Sequence, residues 1–181
     1  MKLINKLPKS YDELSLGKYI KIINKVLVER PDEMDVEDWN IRINLTILSI
    51  LLDVPVAELE HLPAVEIIEL IQSVQYLESP AEATKTSLEL KALKEFDYID
   101  YASYQKLRTN LWNNAPEILE MIVKNKSKEE IEQLNVLEVA GCFFTLNRSI
   151  KKSMITMLFT LSKQVMKNSL IQKMKKITKV F

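Results

Sequence analysis

The chain has 181 residues, 47% of them hydrophobic and 28% charged, with two glycines, six prolines, one cysteine and one histidine. That length suits one compact domain or two small ones sharing a core, and this composition excludes low-complexity disorder, a collagen-like repeat and a disulfide scaffold. Lys plus Arg and Asp plus Glu both number 25, for a formal net charge of zero.

The balance holds only in sum. Glu138 is the last acidic residue, and nine basic residues come after it: Arg148, Lys151, Lys152, Lys163, Lys167, Lys173, Lys175, Lys176 and Lys179. Residues 1–138 therefore carry 16 basic and 25 acidic residues. An acidic body with a basic tail is the expectation, and an acidic partner would relieve the tail's self-repulsion.

In chain order, Ser10 and Glu13 have the spacing of a capping box, and Ser15 caps a first helix with Leu16, Tyr19, Ile20, Ile23 and Leu27 on one face. Pro31 and Asp32 break it. A second helix is expected after Asp38, apolar around most of its circumference from Trp39 to Leu52 and so the central core helix. Pro55 and Pro63 suit first helical positions, opening a short helix to His61 and a longer one to Tyr76.

Ser79-Pro80 marks a break. Leu88, Leu90 and Ala92 alternate with Glu89 and Lys91, which fits a strand or hairpin, although the residue types also favour helix. A helix is expected from Tyr98 to about Trp112, and Pro116 opens the next, to about Val123. Ser127 and Glu130 form a second capping-box spacing.

From Val136 to Phe181 there is no proline and only Gly141. Leu146, Ile150, Met154, Met157, Leu161 and Val165 form one apolar stripe; Met166, Leu170, Met174, Ile177 and Phe181 form a second, displaced about 100° around the helix. One helix over 147–179 would span about 50 Å, against a globule whose radius of gyration is about 16 Å. Such a helix protrudes or bends, and its exposed stripe needs a partner. The candidate interface is Lys163, Lys167, Leu170, Lys173, Met174, Lys175, Lys176, Ile177, Lys179 and Phe181.

A shift of 72 positions lays Glu58–Glu66 over Glu130–Glu138, with four identities. Two copies of one helix–turn–helix unit would give a pseudo-symmetric body. The expected fold is therefore mainly all-α: a first helical half over 1–79, a connecting segment or short β-hairpin over 80–100, a second half over 101–146 and a basic C-terminal helix over 147–181.

Chemistry finds little purchase. Glu58 and His61 have the spacing used by carboxylate-bridged metal sites, but such sites need two motifs and there is one histidine. Cys142 lies in an apolar run, Ala140 to Phe144, which raises a thiol pKa and leaves it inert. Neither an enzyme activity nor a metal, cofactor or small-molecule substrate is expected. A DNA-reading helix after Pro55 would present Glu58, Glu60, Glu66 and Glu69 to phosphates, so any weak nucleic-acid contact falls to the basic tail. No apolar run is long enough for a membrane span or a signal peptide, and a lone cysteine fits a reducing cytoplasm.

The opening Pro8-Lys9-Ser10-Tyr11-Asp12-Glu13-Leu14-Ser15-Leu16-Gly17-Lys18-Tyr19-Ile20, with Ile47 to Pro55 after it, resembles the start of small virion-assembly proteins of tailed phages that infect Bacteroidota, the crAss-like phages among them. The likeness covers about the first 80 residues well and the second half loosely. It implies a structural subunit of the head–tail connection, in a ring of its own copies and against other neck or tail proteins, in virions assembled in the host cytoplasm. A tail-assembly chaperone absent from the mature particle is the alternative it also implies. A regulator binding nucleic acid non-specifically through the tail is a third reading, from charge alone.

Overall fold

The computed structural model describes residues 3–92, 98–152, 155 and 156, and the chain is mostly helical over them. Among the described residues eight α-helices succeed one another: α1 (Leu16–Val26), α2 (Val36–Leu52), α3 (Val56–Glu60), α4 (Ala64–Ser73), α5 (Tyr98–Leu107), α6 (Ala115–Ile122), α7 (Lys128–Glu132) and α8, described over 136–152. Short 3-10 turns occupy Leu3–Lys6, Gln75–Glu78 and Arg108–Asn110.

Local capping chemistry sets the helix starts. Ser15 accepts from the Lys18 amide at α1. Ser127 and Glu130 close a full capping box at α7. The second helix begins earlier than the Asp38 start expected from sequence, because Asp35 accepts from the Glu37 amide and caps it. Pro55 and Pro63 stand one position before their helices, as N-caps and not at the first helical position. A missing N–H costs nothing in either place.

The apolar side chains divide into two clusters. Leu7, Tyr11, Leu14, Ile22, Leu45, Leu48, Leu51, Leu52, Leu59, Leu70, Val74 and Val136 form the first. Leu16, Tyr104, Ala115, Ile118, Leu119, Ile122, Val123, Ile131, Val139, Cys142, Phe143 and Leu146 form the second. Helix α1 lies between them, sending Ile22 to the first and Leu16 to the second, while Val136 of α8 reaches into the first. The Leu16 amide donates to the Leu134 carbonyl at 2.8 Å and the Val136 amide to the Leu14 carbonyl at 2.9 Å, pinning the start of α1 to the α7–α8 turn.

Two sequence expectations shift here. On α1, Leu16 of the expected face is buried and Tyr19, Ile20 and Ile23 are half-buried, but Leu27, just past the helix end, is 72% exposed, and Ile22, outside that face, is buried as well. On α2, burial is confined to Leu45, Leu48, Leu51 and Leu52, while Val36 and Ile41 are exposed. It is a core helix in its second half only, and Asp53, in the left-handed conformation, ends it there.

The alternating segment 88–92 belongs to no strand. Leu90 makes a single antiparallel bridge to Val123, with the Lys91 amide donating to Ile122 at 2.8 Å and the Lys124 amide to Glu89 at 3.0 Å. Its pairing is with the chain leaving α6, and no hairpin partner lies among the described residues. The connection reaches that point by crossing α8 at Gly141, where a β-carbon would stand 2.0 Å from the Lys85 carbonyl oxygen.

Candidate protein–protein interface

The ten tail residues of the candidate interface, Lys163, Lys167, Leu170, Lys173, Met174, Lys175, Lys176, Ile177, Lys179 and Phe181, all lie outside the described residues. So do four of the first stripe, Met154, Met157, Leu161 and Val165. The structure shows how α8 approaches them. Val139, Cys142, Phe143 and Leu146 are buried, Ile150 is half-buried, and Lys151, Lys152, Ile155 and Thr156 are exposed.

A feature that the sequence patterns do not announce lies on the first cluster. Helices α1, α2 and α4 and the turn after α4 leave an apolar groove of about 310 Å³ between them. Tyr19, Ile23 and Leu27 line one wall, Ile47 the second, and Ile71 and Leu77 the third. At the end of α1 the groove opens among exposed Val26, Leu27 and Val28. Directly after them the α1–α2 loop and first turn of α2 carry Glu29, Asp32, Glu33, Asp35, Glu37 and Asp38, all exposed, with Arg30 the one base between. Arg30 is held back on the loop, donating to the Met34 carbonyl. Three consecutive apolar residues running into six acids in ten are the sequence signal for this feature.

The groove is backed by stacked aromatic rings. Tyr76, Tyr11, Tyr19, Trp112 and Phe143 make successive edge-to-face contacts with centroid separations of 5.1, 5.7, 4.9 and 6.0 Å. Such pairs contribute about 0.5–1.5 kcal/mol each beyond area burial. They run from the first cluster across α1 to α8, so a groove wall and α8 share one rigid support. The Tyr11 hydroxyl donates to the Ser79 carbonyl at 2.6 Å, and burial pushes its pKa up to about 12, with Tyr19 adding to the rise. Burial likewise raises Tyr76, helped by Tyr11, Glu13 and Asp12, and raises Tyr19 against the opposing effect of a Tyr11 hydrogen bond.

The residues considered for chemistry are scattered. His61 is exposed at the C-terminus of α3, and Glu58 is exposed on that helix. Cys142 is buried in the second cluster with its Sγ 3.2 Å from Thr86 Oγ1, and burial raises its thiol pKa against the lowering effect of that contact. Among the described residues, no three His, Cys, Asp or Glu side chains gather closely enough to hold a metal, and no helix is long and apolar enough to cross a membrane.

Comparison with known proteins gives no relative: no family model matches the sequence, and no curated protein or solved structure matches it.

Proposed function

We propose that this chain is a structural subunit of a tailed-phage virion, repeated around the neck or tail axis and working through contacts with its own copies and with other neck and tail proteins. The observation that carries the reading is an asymmetry of surface. Among the described residues nothing covers the apolar groove on the first cluster, whose Val26–Leu27 end runs on into six exposed acids, while the 43 residues after Glu138 hold nine bases and no acid. Complementary surfaces at opposite ends of one chain favour heterologous, head-to-tail contacts, and these close into rings when the rotation between copies allows. The resemblance of the opening residues to virion-assembly proteins supplies the setting.

The same reading takes the body as two copies of one helix–turn–helix unit. Helix starts support it: α3 and α7 begin at 56 and 128, α4 and α8 at 64 and 136, both 72 apart. Among the described residues, the non-glycine residues with positive φ, Asp53 and Asn125, share a φ of 55° and the same spacing. Leu59 and Ile131, again 72 apart, are the buried residues of the two short helices. A repeated unit supports repeated contacts, because each half presents a similar turn.

Protein composition of purified particles tests the proposal. Detection of the chain in stoichiometric amounts in mature virions is the expected result. Presence in infected cells with absence from virions would replace the structural role by that of an assembly chaperone.

A further inference from the structure

We infer that the groove between α1, α2 and α4 is the receptor for the C-terminal segment, about residues 163–181, of a neighbouring copy. This rests on the assembly reading above and gives it a specific contact. Two observations converge on that occupant.

The first is shape and apolarity. The groove is lined on three sides by Ile23, Leu27, Ile47, Ile71 and Leu77, and nothing among the described residues fills it. Met166, Leu170, Met174, Ile177 and Phe181 recur at intervals of four, four, three and four, the spacing of a single helical face. An amphipathic helix laid in an apolar groove is a recurrent recognition mode, and methionine side chains adapt to irregular walls.

The second is charge. Lys163, Lys167, Lys173, Lys175, Lys176 and Lys179 give the segment six positive charges and no negative one. Glu78 lines the groove itself, and the chain that continues from its Val26–Leu27 end carries Glu29, Asp32, Glu33, Asp35, Glu37 and Asp38, all exposed, with Arg30 the one base among them. Complementarity of this kind steers encounter and fixes the direction in which the segment lies. It disfavours nucleic acid on this surface, since phosphates would meet the same acids.

The test uses the full chain in two variants. Val26→Lys with Leu27→Lys blocks the groove and repels the lysines; both positions are exposed at the end of a helix, where added lysine is tolerated. Leu170→Ser with Met174→Ser removes the stripe. Circular dichroism confirms that each variant keeps the wild-type helicity, and analytical ultracentrifugation measures self-association. Each variant alone should associate at least about 30-fold more weakly than the wild type, the loss given by a 2 kcal/mol hot spot. An equimolar mixture holds one intact groove and one intact tail per pair, so it should form a 1:1 dimer and nothing larger. Wild-type association should also weaken as salt is raised from about 0.1 to 1 M. If the groove variant assembles like the wild type while the stripe variant does not, the tail docks elsewhere: the inference is overturned and the assembly role stands. Two inactive variants that give no dimer on mixing also overturn it. A wild-type chain that stays a single 21.0 kDa copy at high concentration removes both.

Discussion

Replacing each of the two glycines by alanine should move stability in opposite directions, although both lie in helices and neither has a positive φ. Helix propensity favours alanine over glycine by about 0.8–1 kcal/mol in a helix interior. At Gly17, in the first turn of α1, the new β-carbon would meet the Glu132 carbonyl oxygen at 3.4 Å and Glu132 Cβ at 3.7 Å, ordinary contact distances. Gly17→Ala should therefore stabilise the protein by about 0.5 kcal/mol, less than the interior value because of its terminal position. At Gly141 the β-carbon would stand 2.0 Å from the Lys85 carbonyl oxygen and 2.6 Å from its carbon. The connection must retreat by about 1.4 Å to restore a 3.4 Å contact. Thr86 and Ser87 then lose their positions against Cys142 and Glu138. Overpacking costs about 1–3 kcal/mol and a lost hydrogen bond about 0.5–1.5. Set against the propensity gain, Gly141→Ala should destabilise by about 2 kcal/mol. Urea denaturation followed by circular dichroism reads both variants on one scale. A Gly141→Ala midpoint at or above the wild-type value, with an unchanged slope, would refute the crossing of 85–86 over α8.

Three further outcomes rest on the same geometry. Tyr11, Tyr19 and Tyr76 have raised pKa values through burial, so the folded state favours their neutral phenols. Their stabilisation is whole below the unfolded value near 10 and is lost as pH rises through the folded values, so unfolding should accompany tyrosinate absorbance between about pH 10 and 12; tyrosines that ionise at about pH 10 with helicity intact would contradict the packing. Tyr11→Phe removes the hydroxyl that donates to Ser79 and should cost about 1 kcal/mol by urea denaturation, with a ring still in the stack. Cys142 should resist an aromatic disulfide reagent in the native protein and react at once in denaturant; rapid native labelling would mean that the second cluster opens readily.

Capping residues and prolines make the helix order legible in the sequence, because Ser15, Ser127, Pro55 and Pro63 act within one turn of themselves. The tyrosine and tryptophan contacts join positions 11, 19, 76, 112 and 143, and no local period relates such distant residues. Gly141 is visible as an oddity in an otherwise unbroken helix, but which segment needs its missing side chain depends on the path of 80–92. The face of α1 is misjudged at Leu27 for a related reason: apolar residues at 22, 23, 26 and 27 allow two overlapping stripes, and only the position of α2 and α4 decides which one is covered. Residues 88–92 alternate like a strand, yet they are satisfied by one bridge to the end of α6.

The assembly role is tested most directly by measuring the mass of the full chain and of a chain ending at residue 161 by light scattering across a concentration series, with helicity recorded for both. The full chain should form a closed oligomer of defined mass, and the shortened chain should remain at one copy with the helical body folded. A shortened chain that assembles to the same mass, or one that loses all helicity, would contradict an acidic body joined to its neighbours through a basic tail.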